Sequence, residues 1–127
     1  MAVVHRFIGE ENNFNWEGAI PRDYDKPGTK GAEGKILIGS ADGAQHFIIR
    51  YFRVEPGGWT ALESHHHDHG VFILHGRARL LLGEEEVEVG PRDLIYIAPD
   101  EVHQLRPVGN DPLGFLCTIP PKKEEIG

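Results

Sequence analysis

No stretch of this chain repeats apolar residues at a helical period. Sixteen glycines and nine prolines in 127 residues cut it into short pieces. Those pieces favour β-branched and aromatic residues, which suit a pleated, half-buried surface. The expected strands are Lys35–Ser40, His46–Val54, Thr60–His65, Val71–His75, Arg77–Leu82, Glu85–Val89, Leu94–Ile97, Val102–Pro107 and Leu113–Ile119. Turn chemistry separates most of them, at Ala41-Asp42-Gly43, Glu55-Pro56-Gly57-Gly58, Gly83-Glu84, Gly90-Pro91-Arg92-Asp93, Pro99-Asp100-Glu101 and Gly109-Asn110-Asp111-Pro112. Short strands at this spacing predict an all-β sandwich or barrel. The length predicts one domain whose core closes without disulfides. Residues 1–34 are expected as an arm and loop, 35–120 as the barrel, and 121–127 as a charged tail that frays.

The charge balance narrows the partners. The chain has 20 acidic and 13 basic residues and a net charge of −7 with neutral His. That argues against nucleic acid or an anionic membrane surface as the main partner. Cys117 is the lone cysteine, so no intrachain disulfide forms, and a cytoplasmic location is expected. The segment Met1–Trp16 lacks the apolar run of a signal peptide. The longest apolar runs, such as Val71–Leu74, fall far short of a membrane span.

One segment carries most of the chemistry. Glu63-Ser64-His65-His66-His67-Asp68-His69 holds four histidines and a glutamate in seven positions. Imidazole and carboxylate suit first-row transition metals. Side chains two apart on a strand share a face. Alternation therefore pairs Glu63 with His65 as readily as it pairs His65 with His67. His66 and His67 are expected as exposed turn residues, with His69 opening the next strand and leaning back toward the same spot. His103 follows a strand, a tight turn and a strand start, and is the candidate fourth ligand from across the interior. The remaining polar residues receive ordinary readings. His75 is expected at the surface or mouth, and His5 and His46 as structural or exposed groups. Trp59 is expected to pack at the mouth. Arg50 and Arg53 lie on opposite faces of one strand, each with a surface role, although an inward arginine would grip a carboxylate through a bidentate fork. Cys117 shares parity with Phe115 and Ile119, either as a small buried residue or as a cavity wall. Tyr96 is a core residue or a donor behind a ligand. Glu84-Glu85-Glu86 is a solvated hairpin tip.

These residues, in this order, resemble the cupin family. Pro56-Gly57-Gly58 is followed by four residues, then Glu63-x-His65, three residues, His69, six residues and Gly76. This keeps the register of the first cupin motif but exchanges two ligand types. Glu63 sits where the motif has its first His, and His69 where it has its Glu. The second motif is matched by Gly90, Asp93, Ile97 and His103, with Ala98 where a proline is usual and Pro107 where an asparagine is common. From about Lys35 to Pro120 the chain is also similar to the small, single-domain manganese cupins of hyperthermophilic bacteria, which use four His ligands. The segments that carry this likeness are Phe52-x-Val54-Glu55-Pro56-Gly57-Gly58, Glu101-Val102-His103 and Phe115-Leu116-Cys117-x-Ile119-Pro120.

The resemblance implies a cupin-type β-barrel (a double-stranded β-helix or jelly roll) with a metal site of Glu63, His65, His69 and His103. The family register is what selects Glu63 over His67. It implies one divalent transition metal ion, Mn or Fe foremost, with Zn, Ni, Co or Cu admissible. A carboxylate among three imidazoles lowers the net charge of the centre and favours harder ions. Open coordination positions imply a reactive site for a small-molecule substrate. The first functional expectation is a dioxygenase-like oxidoreductase. A non-redox isomerase, lyase or decarboxylase, or a binding module without turnover, stands beside it, because this fold hosts many chemistries. No catalytic residue beyond the ligands is assigned. A homodimer is expected, burying outward apolar residues of Phe47–Phe52, with the N-terminal arm crossing to the neighbour.

Overall fold

Strands form where apolar residues alternate or run unbroken between turn residues. The computed structural model describes residues 1–22 and 27–121. Among these it contains β1 (Ile20–Arg22), β2 (Lys30–Ile38), β3 (Ile48–Trp59), β4 (His69–His75), β5 (Arg77–Leu82), β6 (Glu85–Val89), β7 (Leu94–Ile97), β8 (His103–Val108) and β9 (Leu113–Ile119). One short 3-10 turn spans Ser40–Asp42. The strands make a six-stranded sheet in the order β1-β2-β3-β9-β4-β7 and a three-stranded sheet in the order β6-β5-β8. All pairings are antiparallel. The all-β barrel expected from the sequence is the fold observed.

The core lies between the two sheets. Val54, Ile73 and Leu113 come from the larger sheet, and Ala78 and Leu80 from the smaller; each is 1 % exposed or less. Period-two alternation accounts for this. On β4, His69, Val71, Ile73 and His75 are buried while Gly70 is exposed. Burying a side chain the size of Val54, Ile73, Leu80 or Leu113 stabilises by about 1.5–3 kcal/mol.

Three expectations are corrected. The proline and glycines at Glu55–Gly58 do not end a strand. They form an irregularity inside β3, where Lys30 pairs with Trp59 and Ala32 with Val54. A Cβ on Gly58 would stand 2.2 Å from the Lys30 carbonyl oxygen, so glycine is what lets β2 approach there. Thr60–His65 is not a strand. It follows β8 through a few bonds only: Thr60 N donates to Leu105 O at 3.0 Å, and Glu63 and His103 exchange backbone bonds at 3.2 and 2.9 Å. The third correction is to the arm. Residues 1–34 contribute β1 and the first part of β2. The tail beyond residue 121 lies outside the described residues.

The arm folds onto its own barrel because aromatic residues hold it there. Phe14 and Trp16 pack against Tyr51 at ring separations of 6.3 and 5.4 Å, and Phe14 packs on His75 at 4.8 Å. Tyr51 is 1 % exposed beneath this arm. His75 is buried as well, contrary to its expected place at the surface or mouth. Its Nδ1 donates to the Pro112 carbonyl at 3.0 Å, which leaves Nε2 to accept the Tyr51 hydroxyl at 2.7 Å. The Tyr51 oxygen in turn accepts Phe14 N–H at 3.2 Å. Tyr51→Phe strands a buried imidazole nitrogen and a backbone donor, so it costs about 1–3 kcal/mol. Chemical denaturation measures the loss, and wild-type stability in the variant would refute this account of the arm. Burial holds His75 below its ordinary value of 6.5, the Pro112 bond partly opposing. Its neutral form is the folded form, so its contribution is complete above about pH 6.5 and is lost as pH falls below that.

Candidate metal centre

The imidazole cluster sits inside the barrel because four consecutive odd positions turn inward. Glu63, His65, His67 and His69 all line one cavity of about 100 Å³, while Leu62, Ser64, His66 and Asp68 are exposed. His69 begins β4, and His103 begins β8 in the opposite sheet. The Glu63–His103 bridge draws the two stretches together.

His65, His69 and His103 each offer a ring nitrogen, and these nitrogens all lie within 4.8 Å of one another. Donors about 2.1 Å from a common ion stand about 3 Å apart when adjacent and about 4.2 Å apart when opposite. The three imidazoles thus fit a metal ion after a small inward movement. Two further features match a ligand set. His103 Nδ1 donates to the Glu101 carbonyl at 3.0 Å, so Nε2 keeps its lone pair. His69 is 6 % exposed, and its Nδ1 is buried without a hydrogen-bond partner. Burial, with the neighbouring His103, His67, His65 and Arg50, pushes the His69 pKa down to about 3. The ring is therefore neutral, as a ligand must be, at ordinary pH. Burial also lowers the His65 pKa, with Glu63 opposing.

Glu63 reaches the cluster through one oxygen, 3.1 Å from His65 Nε2. His67 reaches it as well, which the sequence reading did not expect. Its ring lies 5.1 Å from that of His65 and 4.7 Å from that of His69. Its Nδ1 donates to the Asp68 carbonyl at 3.2 Å, and its Nε2 is buried with no partner. His66 is the turn residue, almost fully exposed and paired with Asp100 at 2.7 Å. The parity that set Glu63 beside His65 also carried His67 inward, a signal already in the sequence but overruled by the turn reading.

Arg50 is the other correction. It is 8 % exposed and lines the same cavity, not the surface. The parity of Ile48, Arg50, Phe52 and Val54, all buried on β3, was its signal. Arg53, of opposite parity, lies outside and donates to the Asn12 carbonyl at 2.8 Å. Cys117 is a cavity wall, with its sulfur 3.2 Å from Arg50 Nη2. Tyr96 is 64 % exposed and donates to Asp68 at 3.0 Å, so it is neither core nor support for a ligand.

A two-sheet barrel whose inward histidines could hold a metal ion defines a class of small barrels. Residues 50–119 match the Cupin domain family, and the chain belongs to it. A curated relative, 1-methylthio-D-xylulose 5-phosphate methylsulfurylase of Rhodospirillum rubrum, is 42% identical over 118 residues, covering 91% of this chain and 74% of the relative. A cupin 2 conserved barrel domain protein from Rhodopseudomonas palustris superposes with a TM-score of 0.79 at 28% identity, covering 97% of this chain and 89% of that one. The polyketide cyclase RemF from Streptomyces resistomycificus superposes with a TM-score of 0.74 at 30% identity, covering 81% and 74%. No helix among the described residues is long and apolar enough to cross a membrane.

Proposed function

We propose that the protein is a metal-dependent cupin enzyme. It holds one divalent ion, Mn or Fe foremost, through Glu63, His65, His69 and His103, and acts on a small organic molecule in an oxygenase-like or other redox reaction. The observation that carries this reading is the trio of ring nitrogens within 4.8 Å, facing a cavity. A bound ion would supply Lewis acidity and, for Mn or Fe, a redox couple. The chain's own contribution is to keep His69 neutral by burial, to fix the His103 tautomer through Glu101, and to shield one side of the site with Val71, Ile97 and Leu105. The same reading takes residues 1–127 as one domain working in the cytoplasm as a homodimer. Apolar Leu94 and aromatic Tyr96 on edge strand β7, 79% and 64% exposed, support a second copy there.

A second reading rests on the 42% identity to the methylsulfurylase, whose name gives its substrate as a phosphorylated methylthio sugar. Under it this chain acts on a related thio-sugar phosphate. One experiment separates the two. Protein loaded with Mn, Fe or Zn is incubated with a small-molecule panel that includes 1-methylthio-D-xylulose 5-phosphate, while dissolved oxygen and products are followed. The first reading expects substrate-dependent product with Mn or Fe and none with Zn, accompanied by oxygen uptake where the reaction is oxygenase-like. Product from the thio-sugar phosphate without oxygen uptake favours the second. Protein that takes up none of the three metals defeats the metal reading.

A further inference from the structure

The cavity holds a buried cation that the metal site does not use. The Arg50 guanidinium lies among apolar walls, with its Cζ 4.9 Å from the Phe52 ring centroid, and Phe115 and Val71 also line the space. Among the described residues its one hydrogen bond runs from Nη2 to the Cys117 sulfur at 3.2 Å, a weak acceptor. Its Nε is buried with no partner. Among the described residues no carboxylate forms an ion pair with Arg50. Glu63 lines the same cavity but makes no ion pair with Arg50. A buried guanidinium with no carboxylate in contact is costly, and an apolar residue of similar volume is often tolerated better. Retaining arginine makes physical sense where an anion enters the cavity and supplies the missing charge. Arg22 also lines the cavity, adding a second cationic residue to its wall.

We propose that Arg50 is the anion-holding residue of this cavity, and that its ligand is a small organic oxyanion. The charged end, a carboxylate or a phosphate group, pairs with the guanidinium, and the remainder extends toward the histidine cluster. Arginine's planar fork matches both groups, which share the paired oxygens it recognises. The Cys117 sulfur and the Phe52 ring both lie against the guanidinium. The inference deepens the enzymatic reading by naming a substrate class and rests on it only for the metal end of the ligand.

The test titrates acetate and inorganic phosphate, separately, into metal-free and Mn-loaded protein by calorimetry. Wild type, Arg50→Met, Arg50→Lys and the outward control Arg53→Met are compared, with metal content measured in each. The expected result is saturable binding of at least one probe to wild type. Arg50→Met weakens it at least tenfold and Arg50→Lys severalfold, while Arg53→Met and the metal content are unchanged. Acetate alone binding assigns a carboxylate, and phosphate alone assigns a phosphate ester. If wild type binds neither probe, or Arg50→Met binds as wild type does, the inference is overturned. Should Arg50→Met not fold, Arg50→Lys decides by the same comparison, unchanged affinity overturning the inference. A protein that takes up none of Mn, Fe and Zn yet binds a probe through Arg50 sinks the metal reading alone.

Discussion

His69→Ala abolishes stoichiometric metal binding, whereas His66→Ala leaves it at the wild-type level. Changing a group that merely supports a ligand typically costs 10–100-fold in affinity. Removing a buried ligand outright is expected to cost more than about 100-fold. His69 is the most buried of the three clustered imidazoles, and its burial keeps it neutral. His66 shares the same short segment but faces solvent. Metal content after dialysis is the readout. The melting temperature gives a second one, since metal at 100 times its Kd stabilises the folded state by about 2.7 kcal/mol. For a chain of this size that is a rise of about 10 °C on loading, absent in His69→Ala. Equal metal content in His69→Ala and wild type would show that the ion sits elsewhere. The same assay ranks Glu63→Ala against His67→Ala, because both side chains line the cavity and the family register favours Glu63.

What the sequence revealed and what it hid have a common physical cause. Period-two alternation is a local property, so it located β5, β6, β7 and β9 with the bounds the structure has. It also carried Glu63, His65, His67 and His69 to one side, and only the family resemblance chose Glu63 over His67. Errors arose where distant backbone decided the outcome. Glu55–Gly58 reads as a turn in isolation, yet β2 pairs on either side of it and keeps it within one strand. Thr60–His65 alternates like a strand, but its neighbour β8 is hydrogen-bonded to it only at scattered points. Arg50 illustrates the limit for the site. Its parity pointed inward, but a general expectation that arginine stays in water overruled the pattern. Burial of a charge is where such an expectation fails, and such places tend to be functional.

Gly76→Ala destabilises the protein by about 2–5 kcal/mol, whereas Gly83→Ala costs about 1 kcal/mol. Both glycines have positive φ, 75° and 61°, so an alanine at either adopts a strained conformation. The difference is the space around each. A Cβ on Gly83 meets nothing within 4 Å. A Cβ on Gly76 would stand 2.4 Å from the Pro112 carbonyl oxygen and 2.9 Å from Leu113 Cα, both backbone atoms that cannot rotate away. Relief requires β4 and β9 to separate where the strand already departs from regular register, between Ile73 and His75. That movement disturbs Leu113, which is fully buried, and the Pro112 carbonyl that His75 Nδ1 uses. Gly76 closes the first cupin motif by spacing alone, and the structure gives that spacing a reason: it lets the β4–β5 connection pass against Pro112 and Leu113. Urea denaturation of the two variants beside wild type measures the contrast, and equal losses would mean that φ strain, not the backbone contact, is what demands glycine at this position.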